Sequence, residues 1–301
     1  MRGERSTHVR AWMLCLAFVV TTRGHAASAI AIIIDDIGYS LPRGERALAL
    51  PGPLTMAVLP FTPAGRALAE LAPAQGKDVI LHQPMESARG VASAPGTLTT
   101  EMDADELRAT FARALADVPS AVGVSNHAGS RLTERSQPMD TLMREIHARG
   151  LFFVDSRTTT GTVALDTARA LGVPAVKRDV FLDNELAPAA IEAAFARALT
   201  IARRQGHVVI IAHPHDASLA FLERVLPEFP QPDAALVSVR ELLEITARQA
   251  STARVEPRLG GFELEGTFVD RAPDDGAQDL APAAAGGLRQ SLDVGEARDT
   301  P

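Results

Sequence analysis

The chain has 301 residues, a formal net charge of −7 and no run of Lys or Arg, which argues against nucleic acid as a partner. Hydrophobic residues make up 46% and aromatic ones 4%, enough apolar material for one sizeable core. From Ser251 to Pro301 ten Asp/Glu face five Arg, so this stretch carries −5 and the rest of the chain only −2.

Residues 1–29 read as an export signal. Arg2, Arg5 and Arg10 precede an apolar run from Ala11 to Val20, and small residues follow in Ala26-Ala27-Ser28-Ala29. The run is shorter than the roughly 20 apolar residues of a membrane span, so no stable span is expected after signal removal. The mature protein is expected in the periplasm or elsewhere in the cell envelope. Cleavage after Ala29 fits an Ala-x-Ala site, with Ala26 as a competitor because strand residues begin at Ile30. Cys15, the single cysteine, lies inside the apolar run, which leaves the mature chain without thiol chemistry or a disulfide.

Residues 30–250 alternate strand and helix. Strands are predicted at Ile30–Ile34, Leu54–Leu59, Val79-Ile80, Ala121–Val124, Leu151–Val154, Val173–Val176 and Val208–Ile211. Four follow a Gly that suits the end of a helix, as in Gln205-Gly206-His207. Most are unbroken apolar runs, as parallel strands buried on both faces require. Between them lie helical stripes: Leu107, Phe111, Ala114, Leu115 and Val118 after the capping Asp103, and Ile191, Ala194, Phe195, Ala198, Leu199 and Ala202 within Pro188–Gln205. Seven alternations predict a single-domain α/β fold, a seven-stranded (β/α) barrel of irregular TIM-like form, with an open doubly wound sheet as the alternative. Residues 251–301, with Ala281-Pro282-Ala283-Ala284-Ala285-Gly286-Gly287, read as an acidic, low-complexity, disordered tail.

Six of these strands run into residues that ligate metals or move protons. They lead, in order, into Asp35-Asp36, into His82 with Glu86 beyond, into Asn126-His127, into Asp155 and Arg157, into Arg178-Asp179 with Asp183 beyond, and into His213 and His215. In a parallel barrel these ends gather at one rim, where such folds keep their active sites. Capping explains a lone Asp after a strand but does not call for His. Adjacent Asp35 and Asp36 point to opposite faces of a regular strand, so a shared site needs a turn there, which Gly38 allows. His213 and His215 share a face if their strand continues. Pro214 indicates that it ends, leaving His215 behind the site or exposed. Arg157, Arg178, Asp179 and Asp183 bind substrate or orient ligands, or else form salt bridges around the rim.

Ile33-Ile34-Asp35-Asp36-Ile37-Gly38 resembles the first motif of the polysaccharide deacetylases, and Ile210-Ile211-Ala212-His213 their last. Leu81-His82-Gln83-Pro84-Met85-Glu86, Ser125-Asn126-His127-Ala128-Gly129-Ser130 and Arg178-Asp179-Val180-Phe181-Leu182-Asp183 resemble the family's divergent branch of exported deacetylase-like proteins. The resemblance spans about residues 30–245. It implies Asp35 as general base, Asp36 as metal ligand and His213 as the acid that protonates the leaving group. The family's second motif pairs two His four residues apart, and this chain departs from it: His82 has Glu86 at that spacing, and His127 has Arg131. Either Glu86 replaces a ligand, or His82 and His127 complete the site from neighbouring strands. A His₂–Asp set of Asp36, His82 and His127 is preferred, because it leaves an open position on one divalent ion, zinc by preference. Asn126, Asp155 and Glu86 are expected around the substrate or behind the ligands. The implied function is a metal-dependent hydrolase that removes acyl groups from an envelope carbohydrate. The alternative is an inactive barrel that binds glycan or a protein partner.

Overall fold

Nine parallel strands form one curled sheet in the computed structural model, which describes residues 27–89 and 94–255, the last five as backbone alone. In chain order they are β1 (Ser28–Ile37), β2 (Thr55–Val58), β3 (Asp78–Met85), β4 (Ala121–Ala128), β5 (Phe152–Asp155), β6 (Ala175–Lys177), β7 (Val180–Phe181), β8 (His207–Ala212) and β9 (Ala234–Val237). Helices α1 (Leu41–Leu48), α2 (Gly65–Leu71), α3 (Ala104–Asp117), α4 (Ser136–Ala148), α5 (Ala164–Ala170), α6 (Pro188–Gln205), α7 (Asp216–Val225) and α8 (Val239–Val255) fill the connections and end the described chain.

The sheet runs β6-β5-β4-β3-β2-β1-β8-β7, with β9 added to β1. Three neighbours fit on β1 because two share one edge: β9 takes Ser28–Ala31 and β2 takes Ile33–Ile37, while β8 takes the other edge. Among the described residues no ladder joins β6 to β7, so the ring stays unpaired there. The fold is an irregular (β/α) barrel. The expected seven strands are β1 to β6 and β8, and two more are present. β7 is too short to stand out as a run, pairing only Val180 and Phe181 with Ile210 and Ile211. β9 is separated from α8 by Ser238 alone, so its apolar residues merge with the start of the helix in the sequence.

Alternation along the strands separates two cores. Ile30, Ile32 and Ile34 of β1 pack outward with the helix stripes, including Leu107, Phe111, Ala198 and Ala202. Ala29, Ala31 and Ile33 face inward with Ile80, Val154, Val209 and Ile211, joined by Val239 and Leu242 of α8. The outer helices are locally specified. Asp103 accepts from the N–H groups of Asp105 and Glu106, and Glu106 accepts from Asp103 N–H, a reciprocal cap on α3. Gly206, at φ 80°, closes α6 in the left-handed conformation and delivers the chain to β8.

The limits expected for the domain, 30 and 250, both move outward, and β3 and β4 run on past their expected ends to Met85 and Ala128. β1 begins at Ser28 rather than Ile30, with Ser28 level with Ala234 and Ala29 level with His207. α8 continues to Val255, past the boundary expected at 250. The rest of the expected signal and tail lies outside the described residues. Among the described residues, no helix is long and apolar enough to cross a membrane.

Candidate active site

Inward alternation carries the inner face of the barrel to its C-terminal rim. Ile33 faces inward, so Asp35 does too, and it is almost wholly buried. Regular alternation would aim Asp36 outward. Instead Asp36 adopts φ 57°, and the β1–β2 register slips between Ile34 and Ile37. This bulge brings the Asp36 carboxylate round to the same site. The turn expected at the Asp35-Asp36 pair thus lies at Asp36 itself. Gly38, at φ 137°, serves packing: a Cβ there would overlap Thr62 Oγ1.

On β3, Ile80 faces inward and His82 follows it. His82 lies level with Ser125 on β4, and its Nδ1 is 2.7 Å from Ser125 Oγ. That contact points Nε2 at the carboxylates, 3.3 Å from Asp36 Oδ1 and 3.5 Å from Asp35 Oδ2. His127, two residues beyond Ser125, places Nδ1 2.9 Å from Asp36 Oδ1. The two rings meet edge to face with centroids 5.1 Å apart. Ligand atoms of Asp36, His82 and His127 all lie within 4.8 Å of one another. Asp36 Oδ1 is buried without a hydrogen-bond donor aligned to it, although two ring nitrogens converge there. A shared cation fits this donor set, two imidazoles and a carboxylate.

Burial disfavours the Asp36 anion, but His127 and His82 outweigh it and hold the carboxyl far below the usual carboxylate range. Burial pushes Asp35 up, against the opposing pull of His82 and His213. For His82, burial favours the neutral ring, yet Asp35 and Asp36 raise its pKa overall.

His213 follows the inward Ile211 of β8. Asp183, just past β7, accepts from His213 N–H at 2.7 Å and lies 2.9 Å from its Nδ1. Ser218 Oγ donates to the same carboxylate at 2.7 Å. The ring is thereby fixed through Nδ1, and among the described residues Nε2 makes no hydrogen bond. Burial would lower the His213 pKa, but Asp183, helped by Asp35 and Asp36, lifts it to about 9. Asp183 and Ser218 form a support that the strand-end pattern only half revealed. Asp183 stood among the candidates, whereas Ser218 in the first turn of α7 carries no sequence signal. Ser125 had one: it shares a strand face with His127.

The other candidates are placed around this centre rather than in it. Glu86 Oε2 accepts from Thr100 N–H and Oγ1, both at 2.7 Å, and Oε1 lies 3.4 Å from Arg131 Nε. Its carboxylate is committed to a loop and stands outside the Asp36, His82 and His127 group. Asn126 ties the strand ends, accepting from Ser156 N–H and donating to Ala128 O. Asp155 accepts from Arg157 N–H and Thr162 Oγ1. Asp179 accepts from Val209 N–H and fastens the entry to β7 along β8. Arg178 donates to the carbonyls of Ser156 and Arg157 and lies 3.7 Å over the Phe181 ring. Arg157, at φ 49°, lines a polar cavity of 330 Å³ with Arg169 and Lys177. His215 precedes α7, its ring 5.9 Å from that of His213. Both His border a 160 Å³ cavity with Asp36, Tyr39 and Arg43.

The chain is similar to an uncharacterized protein of Agrobacterium tumefaciens C58 of known crystal structure: 25% identical, TM-score 0.69, covering 73% of this chain and 90% of that one. It is 37% identical over 226 residues to the uncharacterized protein YibQ of Escherichia coli (strain K12), covering 75% of this chain and 70% of that protein. An uncharacterized protein of Haemophilus influenzae is 34% identical over 222 residues, covering 74% of this chain and 79% of its own length. The family model described as divergent polysaccharide deacetylase matches residues 32–243, which takes in every strand end of the rim. The chain belongs to the divergent polysaccharide deacetylase family.

Proposed function

We propose that this protein is an exported, metal-dependent hydrolase that removes acyl groups from an envelope carbohydrate. One observation carries the reading: Asp35, the Asp36–His82–His127 group and an Asp183-oriented His213 converge on one rim. Asp36, His82 and His127 would hold one divalent ion, zinc by preference. Such an ion supplies Lewis-acid polarisation of a carbonyl and acidifies water.

The protein's own groups do the rest. Asp35 takes a proton from water as its oxygen bonds to the acyl carbon. His213, protonated on Nε2, gives its proton to the departing nitrogen or oxygen as the acyl bond breaks. The products are acetate and the free amine or hydroxyl. Asp183 keeps the imidazole turned toward the leaving group, and Ser125 keeps His82 Nε2 turned toward Asp36.

The test is acetate release from N-acetylated and O-acetylated glycans by zinc-loaded protein, with Asp35→Asn as control. Release that depends on Asp35 supports the reading. Glycan or protein binding at the rim without turnover, unchanged in Asp35→Asn, would replace it with a non-catalytic binding barrel.

A further inference from the structure

A second group of metal-ligand type lies at the same rim. Asp183, His213 and His215 each offer one ligand atom, and these atoms lie within 4.8 Å of one another. The group shares no residue with Asp36, His82 and His127 and is carried by other segments, the loop after β7 and the turn from β8 into α7.

The run His213-Pro214-His215 builds that turn. His215 N–H donates to His213 O at 2.8 Å, which closes the chain around Pro214 and leaves the two rings 5.9 Å apart. His215 then stands at the N-cap of α7, where Ser, Thr, Asp or Asn usually accept from the first N–H groups of a helix, yet its ring accepts none. Among the described residues this half-buried ring makes no hydrogen bond or ion pair at all. Asp183 is held in place by contrast. Its Oδ2 accepts from His213 N–H and Ser218 Oγ, both at 2.7 Å, while Oδ1 lies 2.9 Å from His213 Nδ1. A carboxylate anchored through one oxygen, with the other turned to an imidazole, is supported as metal-ligating carboxylates are. Both His border the 160 Å³ cavity that reaches Asp36, which gives an ion a way in. Arg43, the cation lining that cavity, is paired with Asp216 at 3.1 Å.

We propose that Asp183, His213 and His215 form a second, weaker site for a divalent cation, and that its occupation inhibits the hydrolase. Two imidazoles and a carboxylate suit zinc-type ions rather than magnesium or calcium, which favour oxygen ligands. The site is the weaker one because the ion has to break the contact between Asp183 and His213, whereas Asp36 Oδ1 has no aligned donor to lose. Inhibition rests on the hydrolase reading above, and binding does not. An ion on His213 Nδ1 sends the bridging proton to water and leaves Nε2–H on a neutral ring, a far weaker acid than imidazolium. An ion on Nε2 occupies the donating atom itself. In both cases His213 no longer protonates the leaving group.

The probe is zinc, titrated into the metal-free full chain and followed by equilibrium dialysis and by the imidazole NMR resonances. Wild type should take up one ion tightly and a second more weakly, with the His215 resonances moving only as the second binds. His215→Asn and Asp183→Asn should keep the first ion and weaken the second at least about tenfold, the scale on which even supporting residues of metal sites act. Asp36→Ala should lose the first and keep the second. Acetate release from an acetylated glycan should rise with the first equivalent and fall as the second site fills, and His215→Asn should move that fall to higher zinc. A single binding step that leaves the His215 resonances unmoved in excess zinc, or a second ion bound equally by wild type and His215→Asn, overturns the site. A filled second site with an undiminished rate overturns the inhibition. A second ion lost in His215→Asn, while no glycan releases acetate at any zinc level, leaves the site standing and removes the hydrolase.

Discussion

Asp183 engages His213 twice, accepting from its backbone N–H at 2.7 Å and lying 2.9 Å from its Nδ1. One carboxylate therefore fixes where the strand end lies and how the ring is turned. It also stabilises the imidazolium, and burial, which opposes that charge, is outweighed, so the His213 pKa stands at about 9.

In metal-free protein, an NMR titration should find His213 titrating near 9, and Asp183→Asn should move it well down. The folded pKa lies above the ordinary histidine value of 6.5, so this group stabilises the fold fully below about 6.5. That contribution is lost as pH rises from there through about 9. Wild type should lose stability over this window, and Asp183→Asn should lose much less. Identical pH profiles for the two proteins would remove Asp183 as the cause.

The metal prediction separates two ligand sets. Metal analysis should find about one divalent ion per chain, lost in Asp36→Ala, His82→Ala and His127→Ala and kept in Glu86→Gln. A Glu86→Gln variant without metal, beside a metal-replete His127→Ala, would reverse the assignment. Affinity should fall as pH falls, because Asp35 and Asp36 raise the His82 pKa and its proton must leave for a ligand bond to form. Metal at about 100 times Kd should add roughly 2.7 kcal/mol to stability.

Gly38→Ala tests the link between fold and site. It combines an unfavourable φ of 137° with overlap on Thr62, two residues from Asp36. A cost on the order of 1–3 kcal/mol is expected, read as a lower melting temperature, together with weaker metal binding. Unchanged melting and metal content would mean that the loop relaxes without disturbing Asp36.

Much of this molecule is legible in its sequence because helix ends and buried parallel strands leave local signals. Gly206 before Val208–Ile211 marks both at once, and the Asp103–Glu106 cap is equally local. The rim candidates follow from strand ends in the same way. Other features depend on contacts between distant segments. The inward turn at Asp36 is a bulge set against β2. Glu86 is held apart from the Asp36, His82 and His127 group by Thr100, fourteen residues on, and Asp183 finds His213 across thirty. Strands β7 and β9 exist only through pairing, with β8 and β1 respectively.

Maturation is predicted to spare β1. Ser28 pairs in register with β9 and Ala29 with β8, so cleavage after Ala29 would remove both from the sheet. Cleavage after Ala26 leaves them in place. N-terminal analysis of protein from the cell envelope should therefore begin near Ala27. A start at Ile30, or a full-length cytoplasmic product, would contradict this.

Asp35 gives the sharpest opposition between stability and activity. It is almost wholly buried, its Oδ1 lacks a hydrogen-bond donor, and burial raises its pKa despite His82 and His213. A carboxyl whose folded pKa is raised favours folding only while protonated, so its ionisation destabilises the metal-free protein as pH rises above the unfolded value. Asp35→Asn removes that charge at nearly constant shape. The metal-free variant should therefore melt higher than wild type at pH 7, with the difference vanishing near pH 3. With metal bound, the same change should leave metal content intact and lower acetate release on the order of 10²–10⁴-fold, the usual worth of a positioned base. The wild-type rate should fall on the acid side as Asp35 takes a proton and on the alkaline side as His213 loses one. Asp35→Asn should abolish the acid limb of whatever activity remains. A variant that melts lower than wild type without metal, or turns over at the wild-type rate with it, would show that Asp35 serves the fold rather than the reaction.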